Sequence, residues 1–131
     1  MLYSRAKNLW ILTDFGFAME ATSKGERTTR YSRGTSSYRA PELLKGPARF
    51  RNKVDIWAMG CVLYEVSTHG MAFLSDHAVL DYKDGSYSFP PIESPISPFW
   101  RQQLSTMIHD VLNIDPMQRP RVWEVAAILS S

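Results

Sequence analysis

Between Val54 and Val66 the chain carries Ile56, Trp57, Ala58, Met59, Cys61, Val62, Leu63 and Tyr64, apolar residues on nearly every side of a helix. A surface helix keeps a polar face, and a helix without one has to be surrounded. The run is well short of the roughly 20 residues that cross a bilayer, so it is a buried pillar rather than a span. The rest of the chain must then fold around it as a mostly helical core. The composition allows this: 131 residues, 44% hydrophobic and 21% charged, suit one modest globular domain.

Other elements follow from local pattern. Leu9-Trp10-Ile11-Leu12-Thr13 is β-prone and ends at Asp14, which predicts one strand. The stretch from Met19 to Arg39 has scattered apolar residues and many Thr, Ser and Arg, and reads as a long functional loop. Four prolines (Pro90, Pro91, Pro95, Pro98) mark the stretch from Gly85 to Phe99 as a loop. Ser97 and Pro98 then open a helix as N-cap and first residue, with Leu104, Met107, Ile108, Val111 and Leu112 at helical spacing. A last helix starts near Pro120 and puts Val122, Val125, Ala126 and Leu129 on one face.

Four motifs lie along this framework. Asp14-Phe15-Gly16 comes first, then Gly34-Thr35-Ser36-Ser37-Tyr38-Arg39-Ala40-Pro41-Glu42. Asp55-Ile56-Trp57-Ala58-Met59-Gly60 follows, and Asp115-Pro116 with Arg119-Pro120 comes last. Each alone is a weak signal, but the ordered set is not. From about Leu9 to the C-terminus the chain resembles the protein kinase family, on its serine/threonine side. The resemblance implies an α+β protein-kinase-like fold. Residues 1–131 would be a partial kinase domain, mostly α: the helical C-terminal lobe from the D-F-G strand to the last helix, with one short strand and a long activation loop. It implies ATP-dependent phosphoryl transfer to protein Ser or Thr, with ATP and Mg2+ as cofactors.

The resemblance also assigns residues. Phosphoryl transfer needs cations against the phosphate oxygens, and a carboxylate at a strand end holds magnesium there. Asp14 would be that ligand, Phe15 would pack inward and report the loop's state, and Gly16 would let the backbone turn. Gly34, Thr35 and Tyr38 look like the loop that receives the peptide residue after the phosphoacceptor, and a threonine there favours Ser or Thr substrates. Glu42 and Arg119 would form a buried ion pair of architectural role. Asp55 would accept backbone N–H groups from the catalytic loop. Thr28, Thr29 and Ser32 stand among Arg27, Arg30 and Arg33, where a phosphate would meet guanidinium groups. A solvated basic loop explains the same residues, and nothing in the sequence chooses between Thr28 and Thr29.

Several features depart from the family or are bland. A Gly-rich loop, a strand lysine and an H-R-D-x-x-x-x-N block are absent from these 131 residues. The expectation is therefore that the N-terminal lobe and catalytic loop are missing and that the chain alone is inactive. Met1–Asn8 does not look like a strand. Arg121 stands where a capping Ser or Thr is usual, although Glu124 is in place for a capping box. His69, His77, His109 and Cys61 lack metal-ligand spacing. Arg49, Arg51 and Lys53 read as a solvated basic approach to the buried helix.

A net charge of +2 argues against nucleic-acid or membrane partners. The expected partner is a protein substrate or a kinase. A single cysteine, no membrane-length run and no signal-peptide pattern fit an intracellular setting, cytoplasmic or nuclear. Two further readings stay open. One is a pseudokinase-like binding module that docks a partner through the activation loop and the Phe73–Tyr82 region. The other is a partial gene product with no independent role.

Overall fold

The apolar run becomes α1, Lys53–Thr68, and the other helices surround it. This computed structural model describes residues 2–18, 25–30, 34–93 and 97–130. Ile56, Trp57, Gly60, Cys61 and Tyr64 of α1 are buried, and Trp57 is wholly enclosed. The helix stops where His69 turns left-handed, at φ 59°, and its N–H closes on the Glu65 carbonyl at 2.8 Å.

Gly60 sets how closely α1 meets α3, Pro98–Val111. A Cβ at that position would lie 2.5 Å from Val111 Cγ2 and 2.9 Å from Leu112 Cδ2. The missing side chain lets Met107, Ile108, Val111 and Leu112 press onto the pillar, and all four are buried. The start of α3 is as its sequence requires, with the Ser97 hydroxyl accepting from the Trp100 N–H and Pro98 in the first turn.

An aromatic cluster covers another side of α1. Trp57 stacks on Phe73 at 5.4 Å between centroids, and Tyr82 meets both rings edge-on. Tyr82 belongs to α2, Asp76–Asp84, a helix that the sequence reading did not single out. Its signals were present at both ends. Ser75 accepts from the Ala78 N–H, and Gly85 takes φ 79° after the last turn. Both aromatic edges have polar anchors as well, since Tyr64 donates to the Pro90 carbonyl and Tyr87 to the Ala72 carbonyl.

Two small antiparallel sheets complete the described chain, where one strand was expected. In the first, β1 (Leu2–Ser4) pairs with β2 (Leu9–Ile11), so the reading of residues 1–8 as lacking a strand is corrected. Asn8 reverses the chain at φ 49°, which Asn tolerates, and Tyr3 packs across on Trp10 at 5.3 Å. In the second, β3 (Arg27–Thr29) forms within the presumed loop and pairs with β4 (Ala48–Phe50). β4 alternates buried, exposed, buried, and this periodicity gives the two β-branched threonines of β3 a ladder to join.

The last helix, α4 (Val122–Ser130), carries Val122, Val125, Ala126 and Leu129 on one face as expected, but of these only Val125 is buried. Val122 and Leu129 stand 59% and 55% exposed, because among the described residues nothing covers that side. Glu124 reaches back to the Arg121 N–H, completing half of the capping box that Arg121 cannot finish.

The contact at Gly60 gives a direct test of this packing. Gly60→Ala is expected to destabilise the chain by about 1–3 kcal/mol in urea melts, because the added methyl overpacks against α3.

Candidate functional site

Three of the five hydrogen bonds made by one buried guanidinium reach distant segments of the chain, and the other two close on the residues just before it. Arg119 is 2% exposed. Its Nη1 and Nη2 grip Glu42 Oε1 and Oε2 at 2.7 and 2.8 Å. Nη1 also donates to the Lys53 carbonyl at 2.9 Å, Nε to Asn113 O at 2.8 Å and Nη2 to Ile114 O at 3.4 Å. All five N–H donors thus have acceptors, and the face of the group lies 5.0 Å from the Trp57 ring. Lys53 returns the link by donating to the Arg119 and Pro120 carbonyls, and burial lowers its pKa. Lys53 is therefore not the solvated cation expected, and Arg49 and Arg51 each face Glu26 at 3.7 Å.

Glu42 lies in a single turn, Pro41–Leu43, whose Pro41 and Leu43 are buried. Anchoring that turn fixes the end of the preceding loop. Within the loop Gly34 takes φ 84° and the Tyr38 N–H closes a turn on the Thr35 carbonyl at 3.2 Å. The Tyr38 hydroxyl donates to Glu65 Oε2 on α1 at 2.6 Å. Arg39 donates through Nη1 to Asp76 Oδ2 at 2.6 Å and through Nε to the Gly34 carbonyl at 2.8 Å. Residues 34–39 are thereby tied to α1 on one side and to α2 on the other.

Glu65, Asp76 and Arg39 did not figure among the sequence-based site residues. Glu65 carried a usable signal: beyond the first turn it is the sole charged residue of an otherwise apolar helix, and such a residue needs a partner.

The tied loop forms one wall of a cleft of about 710 Å³. Thr35, Tyr38 and Arg39 line it together with Leu12, Phe15 and Asp55. Phe15 is 69% exposed, which corrects the expectation that it packs inward; among the described residues nothing encloses it. Asp14 precedes it at φ 63°, at the head of a short turn (Phe15–Phe17) that also contains Gly16. Asp55 is exposed as a residue, while the walls of the cleft desolvate its carboxyl and raise its pKa. No described hydrogen bond joins Asp14, Asp55 and the Gly34–Tyr38 loop to one another, so the cleft gathers these positions without coupling them.

Among the described residues no cluster of three His, Cys, Asp or Glu could cage a metal. A single exposed carboxylate such as Asp14 still suits magnesium, which binds through one or two carboxylates and otherwise through water and phosphate oxygens. Of the candidate phosphosites, Thr28 is exposed opposite Arg49 in the β3–β4 ladder and Thr29 is 5% exposed. Ser32 lies outside the described residues. Cys61 is buried and its thiol is pushed up to about 12 by desolvation, so it is inert.

The bond to Glu65, aided by burial, pushes Tyr38 up to about 12 from an ordinary 10.0. The folded value exceeds the unfolded one, so the bond stabilises fully below pH 10 and fades as pH rises toward 12. Tyr38→Phe is expected to cost about 1–2 kcal/mol in urea melts at neutral pH. The gap from the parent chain should narrow in melts taken across that alkaline window.

Comparison of the sequence with known proteins places the chain in a family. A family model described as "Protein kinase domain" matches residues 1–128. The chain is 39% identical over 115 residues to serine/threonine-protein kinase Nek8 of Danio rerio, covering 87% of this chain and 16% of that protein. It is 34% identical over 135 residues to MAP kinase-activated protein kinase 2 of Oryctolagus cuniculus, covering 95% of this chain and 35% of that one. The Drosophila melanogaster protein of that name is 35% identical over 125 residues, with 87% and 32% covered. The chain thus spans about a third or less of the length of these relatives. The match begins at residue 1, ahead of the Leu9 expected from motifs, and so takes in the β1–β2 hairpin. Its ordered motifs, its helical core and these matches make the chain a member of the protein kinase family, of serine/threonine type.

Proposed function

We propose that residues 1–131 supply the magnesium-ligating and peptide-receiving parts of an ATP-dependent protein serine/threonine kinase domain. The observation that carries this reading is the double anchorage of residues 34–39, to Glu65 of α1 and Asp76 of α2, beside a cleft that also holds Phe15 and Asp55. Bound ATP would supply the γ-phosphoryl group, and Mg2+ would neutralise its oxygens. Asp14 would hold that ion through its carboxylate. The Gly34–Tyr38 loop would seat the acceptor peptide, with the small Thr35 side chain leaving room for a Ser or Thr acceptor to approach.

The Glu42–Arg119 pair would keep the loop's end fixed against the helical core, a positioning role. Asp55, with its carboxyl desolvated in the cleft, is set to accept backbone N–H groups. Thr28, being exposed, is the better placed of the two described phosphosite candidates. The natural setting proposed is intracellular, where a buried free thiol such as Cys61 stays reduced.

Phosphoryl transfer also needs a base, a second magnesium ligand and a phosphate-gripping lysine. The H-R-D-x-x-x-x-N block and Gly-rich loop that carry them do not occur in the 131 residues. The isolated chain is therefore proposed to have no appreciable activity. Exposed Leu2, Trp10, Leu12 and Phe15 favour, as a second reading, docking of this surface on another polypeptide.

A chimera separates the two readings. The Gly-rich loop through the catalytic loop of a related kinase is joined ahead of residue 1, and folding is checked by circular dichroism. The chimera is expected to transfer phosphate from ATP to Ser or Thr peptides, and Asp14→Ala to abolish the transfer. A folded chimera that is inactive, or that selects tyrosine, would contradict the proposal.

A further inference from the structure

We infer that the outward face of the β3–β4 sheet is a docking surface for an acidic polypeptide segment. The inference goes beyond the kinase reading above and does not depend on phosphoryl transfer. The register sets Thr28 across from Arg49, and residues two apart on extended backbone share a face. Glu26 and Arg30 therefore flank Thr28 on one side, and Arg51 follows Arg49 on the other. The opposite face is turned inward, with Thr29, Ala48 and Phe50 all buried. Arg30, Thr28 and Arg49 are exposed. The Arg30 carbonyl lies 3.6 Å from where a Cβ on Gly46 would stand, so Arg30 stays beside the approach to β4.

Positive charge is gathered on this sheet rather than spread over the chain. Residues 25–30 and 44–51 hold Arg27, Arg30, Lys45, Arg49 and Arg51 against Glu26 alone. The whole chain nets only +2, so the rest of it is net negative. α2, for instance, sets Asp76, Asp81 and Asp84 against Lys83. A local excess of one sign on an otherwise balanced molecule attracts the opposite sign to that face.

Glu26 shows what the face accepts. Its two oxygens meet Arg49 Nη1 and Arg51 Nη2 at 3.7 Å each, beyond hydrogen-bond length. A carboxylate at the head of β3 is thus already held between two guanidinium groups, loosely and in reach of solvent, with the Arg49 side chain 76% exposed. Guanidinium forks grip a carboxylate much closer than this. A segment laid along the face with Asp or Glu at alternate positions would present its carboxylates to Arg49, Arg51 and Arg30. A nucleic acid is held by a long row of phosphate contacts, and three arginines around one threonine do not make such a row.

The test uses the 131-residue chain and fluorescence anisotropy of a labelled peptide of about ten residues in which Glu and Thr alternate, at low salt where screening is weak. Saturable binding is expected, falling as salt is added, and a peptide with Gln for every Glu is expected not to bind. Arg49→Glu combined with Arg51→Glu is expected to weaken binding at least about tenfold, with folding checked by a urea melt. Glu26→Gln removes the internal competitor and leaves every cation in place, and is expected to tighten binding about two- to fivefold. That variant keeps the proposal open to refutation should the double reversal fail to fold. Absence of binding, equal binding of the Gln peptide, or indifference of a folded double reversal would overturn the proposal. Unchanged or weaker binding by Glu26→Gln would overturn it too, as would tighter binding of a single-stranded oligonucleotide of equal charge or of anionic lipid vesicles. None of these readouts needs ATP or catalysis, so failure here is distinct from failure of the chimera.

Discussion

The bidentate contact between Arg119 and Glu42 is the constraint on which the rest of this structure depends. A guanidinium taken out of water is costly unless each N–H is matched, and here all five find acceptors drawn from three separate stretches of chain. The result is more than one ion pair. The end of the 34–44 segment, the start of α1 and the turn before α4 are held at a single point over the Trp57 ring. Lys53 closes the arrangement by donating back to the backbone of Arg119 and Pro120. Such a network is sensitive to loss of any member, since each partner would leave another buried polar group unmatched.

From that point the geometry propagates outward. With Glu42 fixed, the loop before it needs only two more ties to be positioned, and Tyr38–Glu65 and Arg39–Asp76 are those ties. Tyr38 reaches the central pillar, which is enclosed by the aromatic cluster and α3, whereas Arg39 reaches the first turn of the short helix α2, and both ties are half-buried.

Much of this was legible in the sequence, and for identifiable reasons. The pillar helix was readable because its apolar residues have no gap, and α3 because Ser97 and Pro98 announce its start. The partnership of Glu42 with Arg119 came from family resemblance, since no local pattern links residues 77 positions apart. The strand β3 was not readable, because Arg27-Thr28-Thr29 is too short for a period and exists through pairing with Ala48–Phe50. The hairpin partner β1 was missed for the same reason. α2 was missed although Ser75 and Gly85 cap it, because its nine residues bury only Val79 and give a weak apolar stripe. The ties at Glu65 and Asp76 depend on tertiary placement, and only the isolation of Glu65 on an apolar helix hinted at one of them. Phe15 shows the reverse case: family pattern places it inside, but the described chain offers it no cover.

The central claim is that Arg119 and Glu42 act as one unit holding the loop's end to the helical core. The most direct test is a double-mutant cycle in urea with Glu42→Ala, Arg119→Lys and the pair together. Lysine retains the charge but cannot reproduce the five-donor fork. The account predicts a coupling energy of about 1–3 kcal/mol between the two positions. Single-variant effects that add to within about 0.5 kcal/mol would contradict it, since additivity is the mark of sites that do not interact.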